Sequence, residues 1–146
     1  MIKEIIKDTE FLSQKCEKIT DMKKAREIVT NLIDTAVNNN NDETSEKKCC
    51  GLAANQIGEK VRVVIAQMPD SKFKPFINPM IVSHSSKTID STEGCMSLEG
   101  TRTVKRYTSI TVMYQNLSGK WNKETFTNFT AIELQHEIDH TNGILI

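Results

Sequence analysis

Two histidines four residues apart, the first followed by an acid, define the segment Gln135-His136-Glu137-Ile138-Asp139-His140, with only six residues beyond it. On a helix, positions i and i+4 share one face a turn apart, so His136 and His140 aim two imidazoles at a single point. Glu137 stands beside that point, placed to handle protons without being a ligand. This is the arrangement for a divalent metal that activates water, with a carboxylate as general base. The chain holds three histidines in all, so a chance pair on a solvated helix face is the weaker reading. A catalytic metal needs a third protein ligand and an open position. Thr141-Asn142-Gly143-Ile144-Leu145-Ile146 carries no Cys, His, Asp or Glu, so that ligand comes from upstream.

Where it comes from depends on what the chain is. A length of 146 residues, 38% hydrophobic and 26% charged, predicts one soluble globular domain over 1–146. The zero formal net charge, without a basic tract, excludes nucleic-acid binding driven by electrostatics alone. The N-terminal Met1-Ile2-Lys3-Glu4-Ile5-Ile6-Lys7-Asp8 has no apolar signal core, and nothing approaches the ~20 apolar residues of a membrane span. A cytoplasmic protein is expected, with Cys16, Cys49, Cys50 and Cys95 as thiols.

Along the chain, Ile19-Thr20-Asp21 leads into a helix from Met22 to about Val37. Its apolar positions Ala25, Ile28, Val29, Leu32, Ile33 and Ala36 mark one buried face. The asparagine run Asn38–Asn41 reads as the start of a solvated loop. Cys49-Cys50-Gly51-Leu52-Ala53-Ala54-Asn55-Gln56-Ile57-Gly58 packs small residues beside an amide, a pattern that lets backbone approach another group closely. Strands are predicted over Val61–Gln67, over Phe76–Val82, interrupted by Pro79 in a way that suggests a strand end or an edge, and over Lys87–Thr92 and Thr101–Lys105. Ser109–Gln115 and Trp121–Phe126 form a further hairpin. Thr127 or Thr130 caps the last helix and Asn142-Gly143 stops it. The order gives an α+β fold: mainly antiparallel sheet around a C-terminal metal-binding helix, with an N-terminal helix packed on the core.

Three upstream side chains compete for the third ligand position. His84, between Ser83 and Ser85, reads as a surface histidine. Cys16, flanked by Lys15 and Glu17, reads as incidental in a helix-like segment. Cys95 follows Gly94 in Glu93-Gly94-Cys95-Met96-Ser97, and its thiolate suits zinc or ferrous iron beside two imidazoles.

Taken together, three segments resemble peptide deformylase: Gly51-Leu52-Ala53-Ala54-Asn55-Gln56, Glu93-Gly94-Cys95-Met96-Ser97 and Gln135-His136-Glu137-Ile138-Asp139-His140. Asp8 to Ile19 is loosely similar as well. The resemblance implies that Cys95, His136 and His140 bind one divalent ion, Fe2+ foremost, with Zn2+ or Ni2+ as alternatives. It implies that Glu137 serves as base and acid while a formyl group is removed from N-formylmethionyl nascent chains. The Gln56 amide and the Met96 N–H would form the oxyanion hole, with Arg102 supporting the site. Cys50, Gly51, Gly94, Phe129, Ile132 and Glu133 would meet the substrate, the backbone near Gly51 pairing with it as an added strand. Such an enzyme works in the cytoplasm close to the ribosome, with no membrane partner. Departures are Cys49 in place of a glycine, Cys50 in place of a larger apolar residue, the acid Glu133 in an apolar pocket, and the ending at Ile146 without a C-terminal extension. Two other readings remain: a metal-binding homologue without catalysis, and a hydrolase of another small N-acyl or amide group.

Overall fold

The computed structural model describes residues 1–146. A short α1 (Thr9–Leu12) precedes the long α2 (Met22–Asn41), followed by β1 (Gly51–Ala53) and a 3-10 turn at Ala54–Ile57. Seven strands in all, through β2 (Val63–Gln67), β3 (Phe73–His84), β4 (Thr88–Cys95), β5 (Leu98–Tyr107), β6 (Ser109–Gln115) and β7 (Trp121–Thr127), lead into α3 (Asn128–Thr141). Every pairing between these strands is antiparallel. Five strands form one sheet in the order β1-β2-β3-β6-β7, and β4 and β5 form a separate hairpin. This is the expected α+β architecture, with the last helix at its centre. No helix is long and apolar enough to cross a membrane.

The core explains the order. Strand β2 is buried on both faces. Its Val63 and Ile65 join the α2 face of Ala25, Ile28, Val29 and Leu32. Its Val64 and Ala66 join Ala131, Leu134 and Ile138 of α3, with Phe76, Ile110 and Val112. Residues alternating along a strand point to opposite faces, so an apolar run such as Val63–Ala66 requires a covering layer on each side. The two helices supply those layers.

Three local expectations change. Pro79 lies inside β3, an inner strand between β2 and β6, rather than at a strand end or an edge, because the register shifts between Ile77 and Met80 and Asn78 takes φ 50°. A bulge tolerates a residue that cannot donate to the ladder. The asparagine run is the last turn of α2 rather than loop, and its side chains hold the chain that follows. Asn40 donates to the Cys49 carbonyl at 2.9 Å and accepts from the Cys49 N–H at 2.7 Å, while Asn39 donates to the Lys47 carbonyl at 2.8 Å. Cys16 is buried outside any helix, with its N–H bonded to the Thr141 carbonyl at 2.9 Å. His84 is exposed, as expected, and stacks on Tyr107 at 3.6 Å between ring centroids.

Candidate active site

Helix α3 buries its apolar residues against the five-stranded sheet and turns His136, Glu137 and His140 toward the tip of the β4–β5 hairpin, all three buried. Cys95 ends β4 at that tip, where the register shifts after Gly94. Cys95 Sγ lies 3.5 Å from His140 Nε2, and the sulfur and one nitrogen of each imidazole lie within 4.8 Å of one another. Among the three upstream contenders, the fold brings Cys95 to the histidines. His84 is exposed on a distant strand end, and Cys16 approaches only the His140 carbonyl, at 3.9 Å.

The donor set fits a divalent metal. Burial pushes the Cys95 thiol up, but hydrogen bonds with His136 and His140 outweigh it and bring it down to about 6, so the sulfur is a thiolate at neutral pH. Two imidazoles with one thiolate, buried and converging, make a borderline-soft site that leaves a position open. His136 offers its Nε2 because its Nδ1 is held 2.9 Å from Glu93 Oε1. That carboxylate is gripped in turn by Arg106 through two 2.8 Å contacts, and Arg106 reaches on to Asp139 at 2.6 Å. A carboxylate on the far nitrogen fixes the ring's tautomer and orientation and makes it a better ligand.

None of Glu93, Arg106 and Asp139 was singled out by sequence. Glu93 and Asp139 were visible within the quoted motifs; Arg106 carried no signal at all, because its role depends on strand pairing. Arg102, the arginine expected to support the site, is not brought into it. It is exposed and reaches only the Glu99 carbonyl at 3.4 Å, although it lies opposite Glu93 in the ladder.

Above the cluster opens a cleft of about 420 Å³, lined by Cys50, Gly51, Gly94, Phe129, Ile132 and Glu133, together with Cys95, Met96 and Glu137. Every residue expected to meet a substrate is therefore present. Glu133 does not point away: it stands one turn before Glu137, and both carboxylates press on the bare Cα of Gly51. Burial raises the Glu137 carboxyl well above the usual range; the charge on His136 pulls it back, and Glu133 raises it further. Glu137 Oε1 is buried without a hydrogen-bond partner. Gln56 is locked by the Ala53 N–H, which donates to its Oε1 at 3.0 Å, leaving its amide nitrogen 3.0 Å from Ser97 Oγ and 3.6 Å from Cys95 Sγ.

A Cys-His-His group that could hold a metal, a buried carboxyl with one unpartnered oxygen, and an amide beside the same sulfur make a candidate hydrolytic site, and known proteins give it a family. The profile of the family described as polypeptide deformylase matches residues 2–146. The chain belongs to the polypeptide deformylase family. A peptide deformylase of Clostridium beijerinckii is 40% identical over 146 residues, covering both chains in full. The crystal structure of peptide deformylase from Thermotoga maritima superposes with a TM-score of 0.89 at 26% identity, over 99% of this chain and 95% of that one. A Met-Ala-Ser-bound class I type b peptide deformylase from Acinetobacter baumannii gives 0.87 at 25% identity, over 99% and 97%. Membership in the deformylase family makes the chain an enzyme that deformylates nascent polypeptides, and Cys95, His136 and His140 are a buried group of donors that could hold a metal ion.

Proposed function

We propose that the whole chain, 1–146, acts as one deformylase domain in which Cys95, His136 and His140 hold a single divalent ion and Glu137, Gln56 and Met96 carry the reaction. The ion, when bound, supplies Lewis acidity to water and to the formyl oxygen. Glu137 accepts a proton from the attacking water and delivers it to the leaving amine nitrogen, giving formate and a free amino terminus. The Gln56 amide and the Met96 N–H donate to the oxygen that becomes negative as the carbonyl carbon turns tetrahedral. The observation that carries this reading is the unpartnered Glu137 Oε1, buried beside three metal donors. An ion that served stability alone would not call for it, since one buried oxygen left without a partner costs about 1–3 kcal/mol.

The substrate is a polypeptide beginning with formylmethionine, met in the cytoplasm as it leaves the ribosome. Strand β1 is an edge of its sheet, so the backbone at Gly51 is open to pairing with an extended peptide. Phe129 and Ile132 supply the apolar wall for the first side chain, with Cys50, Gly94 and Glu133 around it. The ion is ferrous iron, with zinc or nickel able to replace it. The chemistry of one thiolate and two imidazoles suits all three.

The decisive experiment is hydrolysis of formyl-Met-Ala-Ser by protein purified without oxygen, with its metal content determined on the same sample. Glu137→Ala runs beside it, keeping the metal and removing the base. Formate release by wild type and its loss in the metal-loaded variant support the reading. No release at full metal occupancy overturns it.

A further inference from the structure

Lys47 projects from the segment between α2 and β1 to the tip of the β4–β5 hairpin. Its ammonium donates to the carbonyls of Cys95 at 3.2 Å and Gly100 at 3.4 Å, and to that of Leu98. Three backbone oxygens of the hairpin tip thus converge on one cation, and the side chain is half-buried. The base of the side chain is fixed as firmly as its tip. The Lys47 carbonyl accepts from Asn39 Nδ2 at 2.8 Å and from Ser45 Oγ at 3.0 Å. Lys47 therefore ties the last turn of α2 to the turn that carries the thiolate.

The Cys95 carbonyl belongs to the same peptide unit as the Met96 N–H. A cation on the oxygen of an amide draws electron density from its nitrogen and strengthens the N–H as a donor, because hydrogen bonds in series polarise one another. We propose that Lys47 is a positioning residue for deformylation: it holds the hairpin tip in place and, through the Cys95–Met96 peptide, sharpens the Met96 N–H that faces the developing oxyanion. The inference rests on the reading of Met96 given above. Lys47 lines the cleft but bonds the Cys95 carbonyl rather than its sulfur, and its effect falls on the transition state because the oxyanion exists only there.

The test compares zinc-loaded wild type, Lys47→Met and Lys47→Arg by two readouts. The first is the amide proton resonance of Met96 in 15N-labelled protein, which reports polarisation of that N–H without any turnover. The second is formyl-Met-Ala-Ser hydrolysis, resolved into kcat and KM. Expected for Lys47→Met are an upfield shift of the Met96 resonance and a fall in kcat of about tenfold at nearly constant KM. Lys47→Arg, which keeps the cation, restores most of both. Should Lys47→Met not fold, Lys47→Gln removes the charge while keeping one donor, and the same pair of changes is expected at smaller size. A folded, metal-loaded Lys47→Met or Lys47→Gln with unchanged kcat overturns the proposal, whether or not the resonance moves. So does a loss confined to KM, which would make Lys47, a residue of the cleft wall, a substrate contact instead. Absence of turnover in wild type overturns the functional reading instead, and the two failures are thereby distinguished.

Discussion

Gly51 and Glu133 approach so closely that a methyl group on Gly51 would stand 2.5 Å from Glu133 Oε1. The same methyl would lie 2.8 Å from Glu137 Oε2 and 2.9 Å from Glu137 Cγ. Glu133 can swing toward the cleft, but Glu137 is 2% exposed and has nowhere to go. Gly51→Ala is therefore expected to displace the general base while leaving the metal donors intact. A misplaced base loses about a hundredfold in kcat/KM. The check is formate release from formyl-Met-Ala-Ser alongside metal content and circular dichroism; near-wild-type turnover would show that Glu137 does not need its present place.

Glu133 also sets the charge that Glu137 feels. Burial is the larger cause of the raised Glu137 carboxyl, and the neighbouring carboxylate adds to it. Glu133→Gln removes a like charge and keeps a hydrogen-bonding group, so the Glu137 carboxyl falls. A base with a lower pKa stays ionised to lower pH. The acidic limb of the kcat/KM profile is expected to move to lower pH in Glu133→Gln, measured on the same metal-loaded preparation as wild type. An unmoved limb would separate the two carboxyls functionally.

Much of this site was legible in the sequence, and the reason is periodicity. His136, Glu137 and His140 are local to one helix, where spacing alone fixes direction. Cys95 was identifiable because few donors were available and the glycine-thiol motif set it apart. What escaped notice depends on contacts between distant segments. Arg106 reaches Glu93 and Asp139 only after β4 folds on β5 and α3 crosses them, and nothing in its immediate neighbours marks it out from Arg102. The asparagine run misled for a related cause. Asparagine is a poor helix former that favours turns through side-chain bonds to backbone. Here those bonds are made to residues 47 and 49 instead, and the helix continues through Asn41.

That clamp is itself testable. Asn40 satisfies both the N–H and the carbonyl of Cys49, at 2.7 and 2.9 Å, within the segment that lines the cleft. Asn40→Ala leaves two backbone groups without a protein partner, a loss of about 2 kcal/mol in unfolding free energy. Urea titration reads the stability directly. Limited proteolysis should show earlier cleavage between residues 42 and 48 than in wild type. Equal stability of the two proteins would assign the clamp no structural weight.

The pairing of Glu93 with Arg106 makes a prediction about acid. Burial pushes the Glu93 carboxyl up, yet hydrogen bonds from Arg106 and His136 bring it down to about 2, against an ordinary 4.5. Because the folded value lies below the unfolded one, the unfolded chain takes up the proton first as pH falls. The stabilisation is complete above about pH 4.5 and is lost as pH falls through about 2. A shift of that size corresponds to about 3 kcal/mol. Arg106→Met removes the larger of the two favourable partners and strands a buried carboxylate beside His136. The variant is expected to lose about 3 kcal/mol at neutral pH and to show a flatter decline of stability with acid. Urea unfolding across that pH range, on chelator-treated protein so that metal release does not contribute, gives both slopes. Parallel curves for wild type and variant would mean that Arg106 does not hold the Glu93 proton off, and that the orientation of His136 has another source.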